Sequence, residues 1–164
     1  MCILKLIFLL LIGLTVSSCI ELESNRYVEQ NSKTSDCDGF QNLNKAATFE
    51  YEKDLSDYCE AEKLHWNYDH SSKTISFLHT RTLHNCAAQL RLRARKNGNT
   101  IQLIEDITQR DATNCRCYFD TYCEIANISE STLIVKFQNE EYLLDLSNEN
   151  GTFILNTSTD WPCL

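Results

Sequence analysis

The stretch Gln89-Leu90-Arg91-Leu92-Arg93-Ala94-Arg95-Lys96-Asn97-Gly98-Asn99-Thr100-Ile101-Gln102-Leu103 decides the fold class. Leu90, Leu92 and Ala94 alternate with Arg91, Arg93 and Arg95. An extended backbone therefore sends the apolar set to one face and the cations to the other. Asn97-Gly98 follows, a pair that tolerates positive φ and favours a tight hairpin. Ile101 and Leu103 then resume the alternation. The segment predicts two antiparallel strands with one buried face.

The same pattern recurs outward from it. Leu133, Val135 and Phe137 line one face of a strand, Asn139-Glu140 can turn the chain, and Tyr142, Leu144 and Leu146 line the return. Asn150-Gly151 offers a further turn into Phe153 and Leu155. Upstream, Leu64, Trp66 and Tyr68 alternate, and a polar turn over 69–73 leads to Ile75 and Phe77. Short alternating segments joined by Asn and Gly turns predict a mainly β fold, an antiparallel sandwich or open barrel. Over 43–64 the pattern changes: Leu43, Ala47, Tyr51, Leu55 and Cys59 recur at period four, which suits one N-terminal helix, although Phe49-Glu50-Tyr51-Glu52 also reads as strand.

The start of the 164-residue chain has a different character. Lys5 precedes an apolar run over 6–14, and Val16-Ser17-Ser18 places small residues before Cys19. This is the three-part plan of a secretory signal over 1–18. The run is too short to span a bilayer, which takes about 20 residues. Val16-Ser17-Ser18-Cys19 resembles the bacterial lipobox. That resemblance implies that Cys19 carries a diacylglycerol, begins the mature chain and fastens it to a lipid bilayer by palmitate-like acyl chains. The other reading is a plain secretory cut near Ser18, which leaves Cys19 for a disulfide and eight mature cysteines. With Cys19 acylated, seven remain. Residues 19–38 are polar and poor in large apolar side chains, so they read as a flexible tether. A single cysteine-rich domain is expected over 39–164.

The formal net charge is −8, and loss of Lys5 with the signal leaves 14 basic against 23 acidic residues, or −9. An acidic chain is repelled by phosphate backbones, so nucleic acid is excluded as a partner. Nine cysteines in a short exported chain point to disulfides. The candidates are Cys37, Cys59, Cys86, Cys115, Cys117, Cys123 and Cys163. Cys115 and Cys117 share a face of one strand and should take separate partners, drawn from Cys86 and from Cys59, Cys123 or Cys163. Eight cysteines allow 105 pairings, so none is assigned.

A tetrahedral metal set from His84, Cys86, Cys115, Cys117 and Cys123 is the alternative, but no C-x₂-C pair is present and oxidation competes for the thiols. No metal or other cofactor is expected. A redox role for Cys115-Arg116-Cys117 lacks the C-x-x-C spacing of thioredoxin-like enzymes. His65, His70, His79 and His84 are scattered, no G-x-S-x-G elbow exists, and His84 two residues from Cys86 has poor geometry for proton transfer. No catalytic residue is assigned, and a non-enzymatic domain is expected. Arg91, Arg93 and Arg95, with Lys96, form a basic stripe. It suits an anionic glycan or lipid head group, or more simply a solvated face balanced by Glu105 and Asp106. Asn127-Ile128-Ser129, Asn150-Gly151-Thr152 and Asn156-Thr157-Ser158 match the glycosylation pattern, which carries meaning only in a eukaryotic chain.

Leu83-His84-Asn85-Cys86 and Asn114-Cys115-Arg116-Cys117-Tyr118-Phe119-Asp120, followed by Tyr122-Cys123-Glu124-Ile125-Ala126-Asn127-Ile128, resemble a group of small Gram-negative lipoproteins over roughly 64–137. Members share an Asn-Cys after an early hairpin and a C-x-C-aromatic-aromatic-Asp strand. This chain departs from them with Ala87 where a second cysteine is frequent, and with Cys123 and Cys163 as extras. The resemblance implies a β-rich envelope lipoprotein, lipid-anchored to the outer membrane, that binds an envelope protein or glycan or contributes to envelope structure. A secreted, unlipidated binding domain is the runner-up.

Overall fold

The computed structural model describes residues 27–37, 61–109 and 114–156. They form nine strands: β1 Gln30–Thr34, β2 Glu62–Asp69, β3 Thr74–Asn85, β4 Ala88–Asn97, β5 Thr100–Gln109, β6 Arg116–Ile125, β7 Thr132–Phe137, β8 Glu140–Asp145 and β9 Asn150–Asn156. Two sheets stack face to face, one in the order β1-β6-β3-β2-β9 and the other β4-β5-β7-β8. The fold is thus a β-sandwich, as the alternation predicts. The segment expected as a helix lies outside the described residues over 43–60, and its last member, Leu64, is in β2. Among the described residues no helix is long and apolar enough to cross a membrane.

One pairing departs from an all-antiparallel plan. β5 and β7 run parallel over Thr100–Gln102 and Ile134–Lys136. Parallel neighbours need a crossover rather than a hairpin. Here β6 is that crossover, traversing the opposite sheet before β7 returns.

The inward side chains follow strand parity. Leu64, Trp66 and Tyr68 meet Ile75, Phe77, Leu92, Ala94, Ile101, Leu103, Leu133, Val135, Phe137, Leu144 and Leu146 in the main core. The turns refine the sequence reading. Asn97 pairs with Thr100, so Gly98 and Asn99 form the loop, and Gly98 alone takes positive φ, at 58°. Phe137 pairs with Glu140, and Gln138 and Asn139 turn the chain with φ of 49° and 68°, the signs that a type I′ loop demands. The turn expected at Asn150-Gly151 does not form there, because both residues lie in β9. The chain turns earlier, where the Asp145 side chain accepts the Ser147 N–H at 3.0 Å. Gly151 lies opposite Trp66, and a Cβ there would sit 2.5 Å from the indole Nε1. Its glycine answers to packing, not turning.

The tether assignment also changes. Tyr27 bridges Arg95, Val28 N–H donates to the Ala94 carbonyl at 2.8 Å, and β1 pairs with β6. Hydroxyls of Ser32 and Thr34 donate to the carbonyls of Leu92 and Leu90. Polar composition suggested solvation, but these side chains satisfy backbone acceptors along the edge of β4. Residues 27–37 therefore belong to the domain, closing one side of the sandwich.

Candidate functional site

Strand β3 carries an irregularity that organises the interior. His79 pairs with Thr121 and Thr82 with Phe119, so Thr80 and Arg81 together oppose Asp120. The extra residue is a β-bulge, and Arg81 adopts φ of 65°. The Asp120 carboxylate accepts the Arg81 N–H at 3.0 Å. A bulge shifts parity by one. Ile75, Phe77 and His79 point inward before it, and Thr82 and His84 point inward after it.

Those side chains meet inward carboxylates from other strands. His79 is fully buried. Its Nε2 lies 2.7 Å from Glu62 of β2 and its Nδ1 3.1 Å from Glu105 of β5. The Thr121 and Thr82 hydroxyls donate to Glu105 at 3.0 and 3.2 Å. Because Thr82 spends its proton on Glu105, it accepts from His84 Nε2 at 2.9 Å. Gln138, from the β7–β8 loop, donates to Glu62 at 2.9 Å. Burial alone would lower the His79 pKa, but hydrogen bonds and charge from Glu105 and Glu62 outweigh it and raise it to about 9. Against the opposing effect of burial, His79 holds both carboxylates below their ordinary range. An imidazolium whose two N–H groups both donate to carboxylates has no lone pair to take a proton. The group acts as a clamp joining the two sheets.

Beyond this polar belt lies a second, smaller core of Leu90, Cys117 and Phe119, with Cys86 and Ala88 against it. Two disulfides close it. Cys86 and Cys115 are joined with Cα atoms 5.4 Å apart, and Cys37 and Cys117 with Cα atoms 5.6 Å apart. The expected separate partners of Cys115 and Cys117 are thereby found, one of them Cys86 as anticipated. The other is Cys37, from the segment read as tether. The sequence separations of 29 and 80 residues correspond in the chain-entropy picture to roughly 4 kcal/mol each.

Cys123 belongs to neither bridge; it is a buried free thiol in the main core, and burial pushes its pKa well up. The five-residue metal set weighed as the alternative to disulfides does not assemble. Cys123 lies six residues along β6 from Cys117, in the main core, and His84 is committed to Thr82 and Glu105. Cys19, Cys59 and Cys163 lie outside the described residues, as does the signal.

The basic stripe has internal partners. Glu29, its side chain 2% exposed, accepts from Arg93 at 3.2 Å and pairs with Arg91 at 3.5 Å. Arg93 and Arg95 lie over the Tyr27 ring at 3.2 and 4.6 Å from its centroid. Arg93 also pairs with Asp106 at 3.2 Å. Asp106 balances the stripe as expected, whereas Glu105, one residue away on the opposite face, serves His79 instead. Lys96 pairs with Glu130. The stripe fastens the N-terminal segment.

The fold and its interior define a class: a disulfide-closed β-sandwich with a buried ionic clamp. No family model, curated protein or solved structure matches the chain.

Proposed function

We propose that the chain is an exported bacterial envelope lipoprotein, anchored to a membrane through an acylated Cys19, with a non-enzymatic β-sandwich that binds an envelope partner or contributes to envelope structure. One observation carries the reading furthest. With Cys19 acylated, seven cysteines remain, a number that cannot all pair. Cys123 is a buried thiol and the two bridges use four, so only Cys59 and Cys163 are left, an even pair. The odd count therefore no longer speaks against lipidation. Two bridges among the described residues also suit an oxidising compartment, and the signal pattern would supply the route there. The anchoring of Tyr27 and Cys37 at the start of the domain suits attachment from the N-terminal side.

The test is intact mass of the membrane-extracted protein, with and without alkylation under denaturing conditions, beside incorporation of labelled fatty acid. The expected mass is a chain beginning at Cys19 plus a diacylglycerol and its acyl groups. Label disappears in Cys19→Ala, and cysteines 37, 86, 115 and 117 resist alkylation until reduced. An unlabelled chain cut near Ser18 would instead support the secreted form. A full-length, unlabelled chain with all thiols reduced would overturn export altogether.

A further inference from the structure

We propose that Cys37, Cys86, Cys115 and Cys117 form a redox-gated site for a thiophilic divalent cation of the zinc class. The site is latent while the cysteines are bridged and competent once both bridges are reduced. The two disulfides are neighbours: the Sγ atoms of Cys37, Cys86 and Cys117 all lie within 4.8 Å of one another. Cys115 is bonded to Cys86, which puts the fourth sulfur at the same cluster. In a tetrahedral tetrathiolate with metal–sulfur bonds of about 2.3 Å, neighbouring sulfurs are about 3.8 Å apart. The folded chain thus already gathers three of the sulfurs within 4.8 Å of one another, with the fourth one covalent bond from Cys86.

The ligands come from places that hold still. Cys117 is buried within β6. Cys86 begins the turn from β3 to β4, where its N–H donates to the Cys115 carbonyl at 3.1 Å. The Asn85 side chain accepts the Ala87 N–H at 3.0 Å. Cys37 ends the segment that pairs with β6. Access exists as well, since Cys37 and Cys115 are exposed, so a reductant and then an ion can reach the cluster. The donor set selects the ion. The cluster is composed of sulfur alone, and a hard cation such as calcium requires oxygen ligands. His84 is turned into the polar belt, and Cys123 is in the main core.

The chemistry balances with an external dithiol as the reductant. Each bridge takes two electrons and two protons from one dithiol, which leaves as a disulfide, so two dithiols yield four thiols. The divalent ion then displaces four protons and forms four metal–sulfur bonds, leaving a dianionic centre. In the bridged form no thiolate is present and the ion has nothing to bind. The ion would hold Cys37 to β6 in place of the lost covalent link, so the N-terminal segment would stay fastened through reduction. This inference is independent of lipidation at Cys19.

The test uses the full chain in detergent, reduced with a phosphine under anaerobic conditions and given Co²⁺ alone or Zn²⁺ alone. We expect one ion per chain by native mass spectrometry and the intense visible absorption of tetrahedral cobalt thiolate. Zinc should shield four cysteines of the wild-type chain from iodoacetamide, mapping to 37, 86, 115 and 117. Cys37→Ser and Cys117→Ser should each weaken binding by about 100-fold or more, and Cys123→Ser should leave it unchanged. The bridged protein should take up no ion at this site. Binding below one ion per chain, an octahedral cobalt spectrum, shielding at other cysteines or equal uptake by bridged protein would each overturn the proposal. The shielding pattern is read on unaltered protein, so it holds even where a serine variant fails to fold.

Discussion

The interior of this sandwich is two different solutions to the same packing problem, separated by one bulge. On one side of His79 the sheets meet through a dry apolar core in which parity is regular: Leu133, Val135 and Phe137 face Leu64, Trp66, Ile75 and Phe77. On the other side the space is filled by an ion clamp, then by sulfur. The apolar half is held by area removed from water, which is indifferent to protonation and forgiving of shape. The polar half is held by a few directional contacts, each dependent on a charge state or a covalent bond. The same two sheets therefore combine a robust half with a conditional half.

The largest loss of stability is expected from His79→Ala. This substitution leaves Glu62 and Glu105 partly buried beside one another without their cation, and loss of one partner from a buried ionic group costs about 3–5 kcal/mol. Urea denaturation near pH 6 reads this directly. In the apolar half, Leu133→Ala should cost about 2–5 kcal/mol through lost burial and a residual cavity. That cost should be the same at pH 6 and pH 9, which the His79 effect will not be.

The pH profile of the wild type should carry the signature of the polar half alone. The folded pKa of His79 is raised from 6.5 to about 9. Its contribution is therefore complete below 6.5 and is lost as the pH rises through about 9. The fall should be on the order of 3 kcal/mol. Glu62 and Glu105 are lowered from 4.5, so their contribution is present above that value and fades as the pH drops. Stability should thus peak between those limits, and the alkaline decline should vanish in His79→Ala. A flat profile from pH 6 to 9 would show that His79 is not the protonated centre of the clamp.

The smallest expected effect lies at the apolar edge. Gly151→Ala drives a methyl into the Trp66 indole and should cost about 1–3 kcal/mol, with a shift in Trp66 fluorescence. No change in either would mean that the indole moves aside freely.

The apolar half was legible in the sequence because alternation is its whole cause: Leu92, Ala94, Ile101 and Leu103 each take the face that parity assigns. The polar half was legible only in fragments. Glu62, His79 and Glu105 each sit on the inward parity of their own strand, so a charged or titratable residue in an apolar series was the available signal. What linked them was invisible. A bulge at Thr80-Arg81 leaves no mark in hydrophobic pattern, yet it decides that Thr82 and His84 face inward. The Cys37–Cys117 bridge was hidden for a related reason. A polar segment rich in Ser and Asn reads as solvated, and nothing local reveals that its hydroxyls will serve the carbonyls of β4. Asn150-Gly151 misled in the opposite sense, since a turn-forming pair was needed instead for the space under an indole.

The seating of Tyr27 over Arg93 and Arg95 sets a leash length. If the acyl anchor is at Cys19, only eight peptide steps separate it from Tyr27, a reach of at most roughly 28 Å. That is less than the thickness of a bilayer's hydrocarbon core, about 30 Å. Under that anchoring the β1–β4 edge, which carries Tyr27, would be the part of the sandwich nearest the lipid, and β8 and β9 lie at the opposite edges of the two sheets.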